Sequence, residues 1–324
     1  MKKTLAIICI LAVIGVALWV AILPQFPAEE ENTPQLVVGI VTHLSENSWR
    51  DRVNASMEEA AQAYNIQLIQ IETARTQDDQ ILAMRALITY QVDAIVISPL
   101  VLRGWDNVLR DAKSAGIPVL MVHRNVQTDV EGAVAAYIGA DYGAQGRMAA
   151  SFVLARTARR ESPLRVMELH GTVGASDTAE RSRGIRDLFG TGGKYEIYST
   201  VSCNYMQAWA RESMRAHIKS GRTPHIVISY SDSMTLGAVE AMEEAGIVPG
   251  QDIVIVSFDA QQDALALLEE GKINCLIEND PNVGEAVMET VLALKETGTA
   301  EDVLLESRVF RDTDDLSALA PRGY

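Results

Sequence analysis

From Leu36 onward, short runs rich in Val and Ile alternate with helical patterns of ten to seventeen residues, and this alternation most constrains the fold. Strands that are apolar on both faces and separated by helices belong to βαβ units, whose parallel sheet is covered on both sides. Strand signals fall at Leu36–Thr42, Ile66–Ile71, Ala94–Ser98 and Ile117–Val122. Helical spacing lies between them, with Val53, Met57, Ala60, Ala61 and Tyr64 on one face, then Gln77–Tyr90 and Trp105–Ala115. A second series begins near Ala140, with strands at Arg165–Leu169, Tyr195–Val201, His225–Ser229, Ile253–Ser257 and Asn274–Glu278. Two successive series of this size predict two doubly wound α/β lobes.

The first residues set an expected location. After Lys2 and Lys3 an uncharged apolar run extends from Leu5 to Leu23, followed by Pro24 and by Glu29, Glu30 and Glu31. At about 1.5 Å per residue, such a run approaches the thickness of a bilayer core. Basic residues before it and acidic ones after it predict an N-terminus in the cytoplasm and the rest outside. A cleaved signal is the competing reading, but its best cleavage position, near Ala28, follows Phe26 and Pro27. Residues 1–23 are therefore expected to be a transmembrane helix or signal, and residues 24–33 a linker.

Composition narrows the function. The 324 residues carry 28 basic and 43 acidic side chains, a formal charge of −15, with no Lys/Arg cluster, which argues against a nucleic-acid partner. Cys9, Cys203 and Cys275 form no CxxC and signal neither zinc nor a disulfide scaffold. They read as free, packed thiols, although a Cys203–Cys275 bridge would be open to a chain in an oxidising compartment. No cofactor or metal motif appears. Gly190–Lys194 lacks the glycine and the Ser or Thr of a P-loop, and no GxSxG, HExxH or GxGxxG is present, so no enzyme is expected.

The chemistry lies instead at the carboxyl ends of the strands, where open α/β sheets hold their ligands. After the first strand come Glu46, Asn47, Ser48, Trp49 and Arg50; after the fourth, His123 and Arg124. In the second series Asp232, Asp259 and Asp280 follow successive strands, and Arg181 closes a Gly-rich stretch from Gly171. Carboxylates accept from hydroxyls, guanidinium forks donate, and a Trp covers the C–H face of a sugar ring, so the set suits a polyol. Taken singly, Asn47 or Ser48 is first a helix cap, and Asp232 is as much a cap as a contact.

At these residues the sequence resembles the type I periplasmic sugar-binding proteins of ABC transporters, and within them the galactofuranose-binding branch. The likeness covers residues 36 to 312. Its marks are Ser45–Arg50, Val92–Pro99, Gly104–Asp106, Ala115–Val119, Ile138–Asp141, Gly171–Ser176, Ser231–Ala238 and Val256–Asp259. The resemblance implies ligand contacts at Glu46, Trp49, Arg50, Arg124, Arg181 and Asp259. His123, Ser231, Asp280 and Gln207 depart from the family pattern, which has Asp, Asn, an Asn or Gln, and Arg there.

By analogy, a three-segment hinge joins a first lobe of residues 34–139 plus 281–298 to a second of residues 140–280 plus 299–312. Closure on a monosaccharide or related polyol would hand it to an ABC permease. The alternative is a membrane-anchored sensor whose closed form is read by a histidine kinase or chemoreceptor. The candidate site is thus Glu46, Trp49, Arg50, His123, Arg124, Arg181, Ser231, Asp232, Asp259 and Asp280.

Overall fold

The structure is a computed structural model that describes residues 36–324 apart from Glu46 and Thr191. The predicted anchor at residues 1–23, its span at residues 5–23 and the linker at 24–33 lie outside the described residues. Among the described residues no helix is long and apolar enough to cross a membrane.

Strand β1 (Leu36–His43) leads into helix α1 (Ser48–Ala63), and the βα alternation continues through β2 (Ile66–Thr73), α2 (Gln77–Tyr90), β3 (Ala94–Ile97), α3 (Asp106–Ser114), β4 (Val119–Val122) and β5 (Ala136–Ala140). A second run comprises α4 (Tyr142–Arg156), β6 (Leu164–His170), α5 (Ser176–Phe189), β7 (Tyr195–Ser202), α6 (Gln207–Lys219), β8 (Ile226–Ser229), α7 (Asp232–Glu244), β9 (Val254–Asp259), α8 (Gln262–Glu269) and β10 (Cys275–Glu278). Helix α9 (Gly284–Thr297) and short strands β11 (Val303–Leu305) and β12 (Val309–Arg311) complete the described elements.

The strands form two six-stranded sheets, ordered β11-β5-β4-β3-β1-β2 and β12-β10-β9-β8-β6-β7. All pairs are parallel except β10 with β12. Burial explains the strand composition: β3, β4, β8 and β10 are buried at every position, while edge strand β2 mixes buried, half-buried and exposed positions. In the first lobe, α1 and α9 cover one face of the sheet through Trp49, Val53, Met57, Val287 and Val291. Met84, Leu87, Val108 and Leu109 of α2 and α3 cover the other. The second sheet has its own core, which includes Val166, Ile228, Val256 and Leu276. The buried Cys203 and Cys275 are both free thiols within it.

The chain passes from one sheet to the other three times, after β5, after β10 and between β11 and β12. The last passage corrects one expectation. Residues 299–312 do not fall wholly in the second lobe, because β11 pairs with β5 in the first sheet and only β12 joins the second. Three residues at the end of a connection carry no periodicity that could have assigned them.

Candidate functional site

The carboxyl ends of both sheets face a common cleft, and the loops there are closed on one another. Ser48 Oγ donates to Gln261 Oε1 at 2.9 Å, Leu102 N to Gly174 O at 2.8 Å, and Asn125 N to Ser176 Oγ at 2.9 Å. Arg75 Nη2 donates to Asn204 O at 3.1 Å on another side. Behind these contacts is a small cavity of about 30 Å³, lined by residues of both lobes.

From the first lobe, Asn47 caps α1 by accepting from Arg50 N at 3.0 Å, which sets Trp49 and Arg50 in the first turn. Both line the cavity. The Trp49 indole N–H donates to Asn279 O at 2.6 Å, and the Arg50 guanidinium lies 5.0 Å from the Trp49 ring. His123 and Arg124 follow β4 and also line it. Arg124 Nε is 3.3 Å from Asp177 Oδ1, and its guanidinium lies 5.1 Å from the Tyr205 ring.

From the second lobe, Arg181 is positioned by a close helix pair. A Cβ on Gly146 of α4 would lie 2.2 Å from Arg181 O, and one on Gly184 would lie 2.1 Å from Gly143 O, so only hydrogen lets α4 and α5 approach this far. The same contact brings Gln145 to the guanidinium. Arg181 Nε and Nη2 both donate to Gln145 Oε1, at 2.9 and 2.7 Å, and Nη1 donates to Tyr230 O at 3.0 Å. Gln145 Nε2 in turn donates to Glu278 O at 3.1 Å and Ser307 Oγ at 2.8 Å, both at hinge crossings. Arg181 is therefore tied to the hinge while lining the cavity.

Electrostatics divide the two cavity carboxylates. Burial alone would raise Asp177, but the Arg124 and Arg181 guanidiniums, the Tyr205 hydroxyl and the Thr178 N–H hold it below its ordinary value of 3.8. Asp259 goes the other way: burial pushes it up to about 7, against the pull of Arg181 and of Asn279 Nδ2, which lies 3.4 Å from Asp259 Oδ1. His123 is pushed well below 6.5 by burial and by the Arg50, Arg124 and Arg181 charges, so the imidazole is neutral.

Three expected contacts fall outside the cavity. Asp232 accepts from Ser257 Oγ at 2.5 Å and from Gln261 N at 2.7 Å. It thereby braces the turn Asp259–Gln261, in which Asp259 and Ala260 have φ of 106° and 58°. Its role is to hold Asp259, and burial with the neighbouring Asp259 charge raises its own pKa. Ser231 caps α7 by accepting from Met234 N at 3.4 Å. Asp280 accepts from Asn282 N and Nδ2, at 2.9 and 2.8 Å, in a separate open groove beside Arg52 and Tyr324. Glu46 lies outside the described residues. Gln207 is exposed and donates to Glu240 at 2.7 Å.

The cavity also contains residues that were not singled out. Asn279, one position before Asp280, is the amide at the last crossing. Tyr142, Asp177 and Tyr205 line it as well. All four follow strands β10, β5, β6 and β7, so the strand-end rule that selected Arg124 would have found them.

Residues 38–299 match the model of the periplasmic binding protein domain. The chain belongs to that family. It is 29% identical over 272 residues to the galactofuranose-binding protein YtfQ of Escherichia coli, covering 83% of this chain and 85% of the relative. A Mycobacterium smegmatis structure in complex with β-D-fucofuranose is 32% identical, with a TM-score of 0.82 over 86% of this chain and 91% of that one. The binding component of the arabinose ABC transporter of Shewanella, bound to α- and β-L-arabinofuranose, is 31% identical, with a TM-score of 0.80 over 85% and 92%. The expectation of a sugar-binding chain near the galactofuranose branch agrees with these relatives.

Proposed function

We propose that this chain is the extracytoplasmic capture component of a carbohydrate ABC importer, and that it closes its two lobes around one monosaccharide. The observation that carries the reading is the interlobe cavity, which donors and acceptors from both lobes line together. Arg50, Arg124 and Arg181 donate; Asp177 and Asp259 accept; Trp49 offers apolar ring surface to C–H groups. Because contributors come from both lobes, a ligand makes its full set of bonds only in the closed form and shifts the equilibrium toward it. No catalytic step is assigned to these residues. The relatives are named for the binding and import of sugars, which favours transport over sensing. Three of them carry or bind furanose sugars, so furanose-form aldoses head the ligands proposed here.

The membrane association belongs to the same proposal. Residues 5–23 would hold the binding unit to the outer face of the cytoplasmic membrane, next to its permease, with the N-terminus inside. Sequencing the N-terminus of protein purified from membranes separates the forms: Met1 retained supports the anchor, and a start near Glu29 means a cleaved leader. The binding function is tested by calorimetric titration of the protein with arabinose, galactose, fucose and ribose, and with myo-inositol as a non-furanose polyol. Saturable one-to-one binding of a sugar is expected; heatless titrations throughout would overturn the reading.

A further inference from the structure

The polar groups around the cavity differ in how far the protein itself satisfies them. Arg181 is held by Gln145 and Tyr230, Arg124 and Asp177 face one another, and the Trp49 N–H is taken by Asn279 O. Among the described residues, Asp177 Oδ1 and Asn279 Oδ1 are each left without a hydrogen bond while a second polar atom of the same group is engaged, whereas His123 has both of its polar atoms unmet. Its side chain is 1% exposed, yet neither Nδ1 nor Nε2 has a hydrogen-bond partner among the described residues. Leaving buried polar atoms unmet is costly, and both atoms of one ring are left so at the wall of the ligand cavity.

The backbone places that ring deliberately. Arg124 N donates to Val122 O at 2.7 Å across His123, whose φ is 60°, a tight and strained three-residue turn. His123 N donates to Ile138 O at 2.8 Å, and Tyr137 Oη donates to His123 O at 3.1 Å, so the turn is pinned from β5. On its other side the imidazole packs against the Trp49 ring, with centroids 4.7 Å apart and planes tilted by 58°. A strained, doubly pinned turn therefore directs a ring with two unmet nitrogens to the cavity.

We infer that His123 is the specificity-determining residue of the cleft, hydrogen-bonding one hydroxyl of the bound sugar through its imidazole. The inference rests on the sugar-capture reading and deepens it. Neutral imidazole carries one donor and one acceptor, whereas the guanidiniums only donate and the ionised carboxylates only accept. A hydroxyl also does both, so it satisfies whichever nitrogen faces it. A hydrogen at that carbon satisfies neither, and fluorine accepts but never donates. The cleft therefore discriminates by hydroxyl presence at one carbon of the ring, without placing a further charge beside Arg50 and Arg124.

The test compares the intact protein with His123→Phe and His123→Asn. Each is titrated with the best sugar of the panel above and with its singly deoxygenated and singly fluorinated analogues. Removing one particular hydroxyl should weaken the native protein roughly tenfold or more. In His123→Phe that same removal should change affinity less than twofold, because the partner has gone, while the other positions keep their penalties. His123→Asn, which also carries a donor and an acceptor, should recover part of the discrimination. The unliganded His123→Phe protein should melt no lower than the native one, which separates a binding role from a folding role. Identical deoxy profiles in the native protein and His123→Phe would overturn the inference while leaving sugar capture intact. A native protein that binds no sugar at all would overturn the capture reading first, and this inference with it.

Discussion

The indole N–H of Trp49, in the first turn of α1, donates to the main-chain oxygen of Asn279 at 2.6 Å, where β10 leaves the second sheet. A residue of the first lobe is thus fastened to a hinge crossing, and it shares the cavity wall with the Asn279 side chain. In the proposed capture cycle, contacts such as this would couple movement of the lobes to the ligand site.

Removing a closure contact that lines no part of the cavity should weaken binding. Ser48 and Gln261 meet across the cleft at 2.9 Å. Ser48→Ala or Gln261→Ala should cost about 1 kcal/mol of closed-state stability, a loss of about fivefold in apparent affinity. Titration calorimetry gives the affinity, and small-angle scattering of the unliganded variants should give a larger radius of gyration. Unchanged affinity in both would mean that this bond does not bias closure.

Arg124 and Asp177 form a buried pair, so their variants should be unequal in sum. Arg124→Ala leaves the Asp177 carboxylate buried without its nearest cation, at a cost of about 3–5 kcal/mol in unfolding free energy. The double variant with Asp177→Ala should regain much of that stability and still fail to bind sugar. A double-mutant cycle by urea denaturation reads the coupling, and additive losses would contradict it.

Asp259 should make the unliganded protein lose stability between about pH 4 and 7. Asp259 stands near 7 in the folded protein against 3.8 as its ordinary value, and Asp232 is raised as well. Across that window the folded state holds protons that the unfolded chain has released, so stability is greatest below the unfolded value and falls as pH rises through the folded one. Asp177 has the opposite sign, but its contribution is lost only as pH falls below 3.8; His123, held well below 6.5, also has the opposite sign and acts inside the window, so the Asp259 contribution is read as a difference between native and variant. Across thermal melts from pH 4.5 to 8, the native protein should lose more stability, or gain less, with rising pH than Asp259→Asn does. The same pH profile in both proteins would remove Asp259 as a contributor.

The α4–α5 contact predicts a remote effect on binding. Gly184→Ala places a Cβ against the main-chain oxygen of Gly143 and must part the helices that position Arg181. Overpacking of this kind costs about 1–3 kcal/mol. The melting temperature should fall, and sugar affinity should fall with it, although Gly184 lines no cavity; loss of stability with full affinity would contradict the positioning role.

These relationships also explain which parts of the site were legible in the sequence. Arg124 and Trp49 stand out because charged and aromatic residues shortly after β-strands are otherwise hard to place, and Arg181 because it closes a Gly-rich stretch. Asp232 and Asp259 looked alike by the same rule, and what separates them is a turn with φ of 106° and 58° at Asp259 and Ala260, which no glycine announces. Asn279 and Asp280 are neighbours in a crossing without periodicity, so only the structure tells which faces the cavity. Tyr142 and Tyr205 carry no charge that would mark them, and their rings pack against the arginines: the Arg181 guanidinium lies 4.8 Å from the Tyr142 ring and that of Arg124 5.1 Å from the Tyr205 ring. The two sheets followed from alternation alone, while β11, with three residues, is placed by its partner β5 rather than by its own pattern.

The central claim is that both lobes close on one sugar, and the most direct measurement is a thermal melt of the full chain against a panel of pentoses, hexoses in both ring forms, sugar acids and polyols. At a hundred times its dissociation constant a ligand adds about 2.7 kcal/mol to stability, enough to raise the melting temperature by several degrees. The account predicts such a rise for one or a few closely related monosaccharides, with none for the same sugars in Asp259→Ala. A flat response across the whole panel would contradict it.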